Sequence, residues 1–282
     1  MKIFYSEKYI AENCQPTDTF QKSQWIAASL VSNPIRGLEI VEPEPLTTEQ
    51  IAYAHGAGYI ASVASQQGLW TSVIHSNGGL VAAVKEALQY GVSGTLSSGL
   101  HHARRDYGSG FCTFNGLAIT AIEATKMGLT SVLIVDVDAH CGGGTASLIA
   151  AYPMINQIDV STAAFDAYEP DLPGRLELVK RADAYLTTFH DLLEYADGLK
   201  PELIIYNAGM DCHEEDTVGG LPGVDVEMIK QRESLMFDWC ADRKIPIAFT
   251  IAGGYAKNTA DRQRVTRLHR ITLDTAREYS GG

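Results

Sequence analysis

Residues 132–145 read VLIVDVDAHCGGGT, and the fold is decided by how this stretch is read. Val132 to Val135 are continuously apolar and mostly β-branched, too short a run for a helix and without polar alternation, as a strand covered on both faces should be. Asp136, Asp138 and His140 follow at every second position, and on an extended chain such side chains point the same way. Two carboxylates and an imidazole presented together are a metal-ligating pattern. Asp136 as the cap of a helix opening near Gly144, with His140 packed locally, is the plainer alternative.

Outward from this stretch the same grammar recurs. Short runs rich in β-branched residues and bounded by turn residues predict strands at Ile3–Tyr5, Gly94–Ser97, Ser131–Val135, Ile158–Val160, Leu203–Tyr206 and Ile247–Ile251. Between them Leu80, Val81, Val84 and Leu88 keep helical spacing, as do Val179, Ala182, Tyr185, Leu186, Phe189 and Leu193. The alternation predicts an α/β fold of three layers, a single mostly parallel sheet with helices on both faces. No repeat, charge block or Gly/Ser-rich linker divides the chain, so one domain over residues 1–282 is expected.

The polar residues fall just after predicted strands. Gly99-Leu100-His101-His102 follows the second, Asp136 to His140 the third, Asn207 to Asp211 the fifth, and Ala252-Gly253-Gly254-Tyr255 the last. The carboxyl ends of parallel strands form one rim, where ligands bind. Asp211 therefore offers a third ligand beside Asp138 and His140, and three protein ligands leave a coordination position open for water and substrate. His101 and His102 suit proton shuttling, because an unperturbed imidazole titrates near neutrality. Tyr255 stands where a phenol could donate to a developing oxyanion.

Composition narrows the function classes. The formal charge of −12 and the absence of a Lys/Arg-rich run argue against a nucleic-acid partner. The five cysteines, Cys14, Cys112, Cys141, Cys212 and Cys240, form no CxxC pair, which argues against a disulfide framework or a structural zinc knot and fits a reducing cytoplasm. No stretch approaches eighteen apolar residues, and the N-terminal apolar patch is too short for a signal-peptide core, so an unanchored cytoplasmic protein is expected.

Four segments, SGLHHARRDYGSGFCTFNGLAI (98–119), VLIVDVDAHCGGGT (132–145), YNAGMDCHEEDTVGGL (206–221) and AGGY (252–255), together resemble the histone deacetylase family, most closely its class II and bacterial branch. The resemblance implies an arginase/deacetylase fold and a zinc-dependent deacetylase with Asp138, His140 and Asp211 as ligands. It implies His102 as general base, His101 as its electrostatic partner supported by Asp136, and Tyr255 as the oxyanion donor. Gly110 and Phe111 match an aromatic channel wall, Val218 an aliphatic position at the mouth, and Asp136 with Ser161 an inner K+ site. The substrate implied is an acyl-lysine peptide or an acylated polyamine. The ligand set tolerates iron(II) as well as zinc.

The sequence departs from the family at several points. Gly143 stands where the family carries an Asp or Asn that orients the base, so the resemblance implies an unsupported His102, with Asp106 a candidate substitute. On that reading Gly143→Asn raises turnover, and a weakly catalytic protein that binds acylated ligands becomes an alternative function. The segment after Ser161 lacks the family's usual histidine, leaving Phe165 or Tyr168 as the second channel wall. Thr19 to Trp25 replaces an arginine-bearing segment. Cys141 is expected in the core and His213 on an exposed loop. A manganese ureohydrolase is the remaining alternative, opposed by the lack of a Gly-Gly-Asp-His segment.

Overall fold

A computed structural model of the chain describes residues 1–10 and 18–280, and Cys14 lies outside them. Eight strands form one all-parallel sheet in the order β2-β1-β3-β8-β7-β4-β5-β6. They are β1 (Lys2–Phe4), β2 (Glu39–Val41), β3 (Val92–Thr95), β4 (Val132–Asp136), β5 (Ile155–Ser161), β6 (Arg175–Leu178), β7 (Leu203–Ala208) and β8 (Ile247–Ile251). The helices are α1 (Asp18–Ser32), α2 (Thr48–Ile51), α3 (Ala57–Ala64), α4 (Gln67–Tyr90), α5 (Gly116–Lys126), α6 (Gly143–Ile149), α7 (Ala182–Asp197), α8 (Val226–Arg243) and α9 (Thr259–Tyr279).

The three predicted layers follow from strand alternation. Leu133, Val135, Ile204, Tyr206 and Phe249 point to one face, where they pack with Ile26 of α1, Phe189 of α7, Phe237 of α8 and Leu273 of α9. Val132, Ile134, Leu203, Ile205 and Ala248 point to the other, against Ile60 of α3, Leu80 and Val84 of α4, Ile119 of α5 and Leu148 of α6. Both faces are dry, so the central strands carry no polar alternation.

All six predicted strands are present. The two that the sequence does not announce, β2 and β6, are the sheet margins, paired on one side only and largely exposed, so neither needs an apolar run. β5 is longer than its apolar stretch because Gln157 is accommodated inside, its amide donating to the Gly142 carbonyl and to Asp159 Oδ1. Among the described residues no helix is long and apolar enough to cross a membrane.

Register places the chemistry. Asp136 of β4 pairs across to Asn207 of β7, and Asn207 to Thr250 of β8, so the carboxyl ends of three central strands finish level. The segments that leave them meet above this row.

Candidate functional site

β4 ends at Asp136, so Asp138 and His140 stand on the chain that turns over the sheet edge rather than in the ladder. Their carboxylate and imidazole nevertheless converge with that of Asp211, three residues beyond the end of β7. The ligand atoms of the three lie within 4.8 Å of one another, and all three residues are buried. His140 Nδ1 sits 3.1 Å from Asp138 Oδ1 and 3.0 Å from Asp211 Oδ2. Backbone donors fix both carboxylates: Gly253 N–H donates to Asp138 Oδ2 at 2.6 Å and Ala139 N–H to Asp211 Oδ1 at 2.9 Å. Asp211 Oδ2 is buried with no well-formed hydrogen bond. Burial, with the charge of Asp138 beside it, raises Asp211 to about 7. An orphaned carboxylate oxygen, a second carboxylate and an imidazole nitrogen facing one point are a donor set that fits a divalent cation.

The His101 and His102 rings lie with centroids 3.9 Å apart, tilted by 40°, at the same edge. His101 Nδ1 lies 2.7 Å from Asp136 Oδ2, and Asp136 Oδ1 accepts from Asp138 N–H and from the Asn207 amide. Burial opposes a charge on His101, but Asp136 and Asp138 outweigh it and raise the group to about 9. His102 moves the other way, lowered by burial and by the charge of its neighbour against the pull of a carboxylate.

That carboxylate corrects an expectation. His102 is not unsupported: its Nδ1 lies 2.9 Å from Asp166 Oδ2, brought in by the loop between β5 and β6. Asp106 does not fill the role and lies against Gly56 instead. Nor is Gly143 a vacancy, since a Cβ there would run into the Asp166 carbonyl oxygen, which removes the reason to expect Gly143→Asn to raise turnover. Asp166 belongs to no motif and to no periodic segment, so nothing in the sequence marked it.

A cavity of about 40 Å³ lies at this edge, lined in part by Lys22, Leu100, His102, Phe111, Cys112 and Tyr255. Tyr255 is held through its backbone, its N–H donating to Asp216 Oδ2 at 2.8 Å. Its ring lies 6.3 Å from that of His140 and 6.4 Å from that of Phe111. Gly110 adopts φ +51°, and a side chain there would strike the His102 ring. Phe111 and Phe165 are both more than half exposed, and Phe165 stands edge-on to His102 at 4.9 Å. Of the two candidates Phe165 is thus the one facing the site, while Tyr168 turns beneath the loop beside Asp159, which burial raises to about 8. Val218 is half exposed, and its N–H donates to Asp216 Oδ1.

Two further residues differ from their expected placement. His213 is buried rather than exposed, its Nδ1 accepting from Glu215 N–H at 3.3 Å. Lys22 of α1, given no role from sequence, is buried at the site with Nζ donating to the Ala252 carbonyl. Burial lowers Lys22 to about 8 although Asp138 and Asp211 oppose this. A single lysine in an amphipathic helix carries no signal that it faces inward. Cys141 is buried, as expected.

Known proteins resemble this chain in sequence and in fold. The histone deacetylase domain matches residues 17–270. An uncharacterized protein of Picosynechococcus sp. is 34% identical over 203 residues, covering 70% of this chain and 67% of that one. Histone deacetylase 2 of Arabidopsis thaliana is 25% identical over 301 residues, covering 92% of this chain and 76% of that one. The crystal structure of acetylpolyamine aminohydrolase from Burkholderia pseudomallei superposes with a TM-score of 0.79 at 16% identity, covering 100% of both chains, which shows a shared fold. With the matched domain spanning nearly all of its length, the chain belongs to the histone deacetylase domain family.

Proposed function

We propose that this protein is a zinc-dependent hydrolase, working as one catalytic domain, that removes an acetyl or other acyl group from a lysine side chain or a polyamine. One observation carries this reading: Asp138, which meets His140 and Asp211, lines the same small cavity as His101, His102 and Tyr255. Asp138, His140 and Asp211 would hold zinc, or iron(II) in its place, which polarises an amide carbonyl and acidifies water when bound. His102 Nε2 takes the proton of the attacking water and returns it to the departing amine. His101, held by Asp136, stays cationic beside it and favours the charge that develops. Tyr255 O–H donates to the carbonyl oxygen as it becomes an oxyanion.

Gly110, Phe111 and Phe165 line the approach and Val218 its rim, an apolar passage suited to a slender alkyl chain ending in an amide. A K+ ion beside Asp136 and Ser161 belongs to the same reading, supported by Ser161 Oγ, which is buried without a well-formed hydrogen bond. The negative charge of the chain favours a cationic amine over a nucleic acid, and four buried free cysteines suit a reducing cytoplasm. Among the described residues one group of three metal-ligating side chains meets, which favours this chemistry over a two-manganese ureohydrolase. The inactive binding protein loses its motive now that His102 has a partner.

The test is acetate release by zinc-loaded protein from an acetyl-lysine peptide and from an N-acetylated diamine. Release should stop on adding a chelator, and Tyr255→Phe should lower kcat by about 10²–10³-fold with the metal retained. A metal-loaded protein that hydrolyses neither substrate would sink the proposal.

A further inference from the structure

We infer that Asp166, clamped by Arg104, is the positioning residue that sets the tautomer and orientation of His102. This rests on the reading of His102 as the base that faces the cavity. Asp166 reaches the site from the β5–β6 loop, 64 residues beyond His102, and is engaged on both carboxylate oxygens. Oδ2 faces His102 Nδ1 at 2.9 Å and accepts the Gly144 N–H at 3.0 Å, while Oδ1 accepts from Arg104 Nη2. Arg104 also donates through Nη1 to the Gly143 carbonyl at 2.6 Å, which ties the loop to the start of α6.

The loop is shaped around this contact. Asp166 sits at φ +61°, a conformation uncommon outside glycine and one that Asp and Asn tolerate best. The preceding residue supports the loop and the site together: the Phe165 carbonyl accepts Cys141 N–H at 3.0 Å, and its ring stands against His102. Residue 143 must be small for the loop to come this close. A Cβ at Gly143 would meet the Asp166 carbonyl oxygen and would lie 2.8 Å from Oδ1 and 3.0 Å from Arg104 Nη2. The bare strand-to-helix turn and the acidic loop residue are one solution.

The chemistry follows from what a carboxylate can do. Ionised Asp166 only accepts, so the neutral imidazole must carry its proton on Nδ1, leaving Nε2 as the acceptor for water. An amide in its place cannot satisfy both neighbours. If the Asn oxygen faces Arg104, its NH2 faces His102 and forces the proton to Nε2, the wrong tautomer for a base.

Asp166→Asn keeps the size and tolerates the backbone, so it isolates the acceptor function. ¹⁵N NMR of the ring nitrogens, assigned with His102→Gln and recorded on metal-free and zinc-loaded protein, should show the Nδ1–H tautomer in the wild type and a shift to Nε2–H in Asp166→Asn. In the loaded enzyme kcat should fall roughly 10–100-fold, with KM within about twofold and bound zinc unchanged. Arg104→Gln should lower kcat in the same direction by less. Should Asp166→Asn fail to fold, Asp166→Gly accepts the left-handed backbone and should lose the fixed tautomer and the rate alike. An unchanged His102 tautomer with kcat within about twofold of wild type in the Asp166 variant would overturn the inference. The NMR arm stands apart from turnover: a wild type with the expected tautomer but no hydrolysis would overturn the proposed activity and leave the positioning intact.

Discussion

At the scale of the residue, a histidine away from the reacting groups gives the fold a part of its stability that acid removes. His55 is buried, its Nδ1 donating to the Arg104 carbonyl at 2.9 Å and its Nε2 accepting Asn115 N–H at 2.9 Å. Both ring nitrogens are used in the neutral form, and a second proton would face the Asn115 N–H. Burial, against the pull of backbone carbonyls, lowers the group to about 4. The unfolded chain therefore takes up this proton first as pH falls. The stability is complete above the ordinary value near 6.5 and is lost progressively towards pH 4, with about 2 kcal/mol gone at pH 5. Urea unfolding at pH 7.5 and pH 5 should show this loss, and His55→Gln should reduce the difference between the two by that amount. Asn115 also donates to the His101 and Ala103 carbonyls, so acid loosening here reaches the histidine pair.

At the scale of the element, α8 is bolted to the segment that carries Asp211 by a buried ion pair. Arg232 and Glu233 are fully buried. Arg232 donates through Nε and Nη2 to Glu233 Oε1 and through Nη1 to the Gly209 carbonyl and Tyr185 Oη, while Tyr206 O–H donates to Glu233 Oε1. Arg232→Met leaves Glu233 buried without its counter-charge and should cost about 3–5 kcal/mol in denaturant unfolding. Pairing it with Glu233→Leu should recover much of that, and failure to recover any would mean that the apolar pair does not pack in the space. An Arg-Glu dipeptide reads from sequence as exposed. Its burial is a tertiary choice, in which Tyr185, Tyr206 and the Gly209 carbonyl supply the partners that make it tolerable.

At the scale of the molecule, the proposed metal ligands come from two strands' ends with Gly253 from a third holding one of them, so filling the seat should tighten the sheet itself. Ligand that binds only the folded state at about 100 times its Kd adds about 2.7 kcal/mol. For a chain of this size that corresponds to a rise in thermal midpoint of roughly 5 °C. Zinc should produce this rise in wild type and leave Asp138→Ala unmoved, and stoichiometric zinc in that variant would displace Asp138 from the ligand set.

Periodicity and punctuation in the sequence determined a great deal: six strands, the parallel three-layer fold, and the placing of Asp138, His140, Asp211, the histidine pair and Tyr255 after strand ends. These are local signals, because a strand buried on both faces must be apolar throughout and a rim residue must follow it. Only the tertiary structure decided the rest. The margin strands β2 and β6 exist because neighbours offer them a ladder, not because their residues demand one. Asp166 supports His102, His213 turns inward and Lys22 lies under the site because distant segments pack together there, and burial of a polar side chain depends on partners that sequence spacing does not reveal.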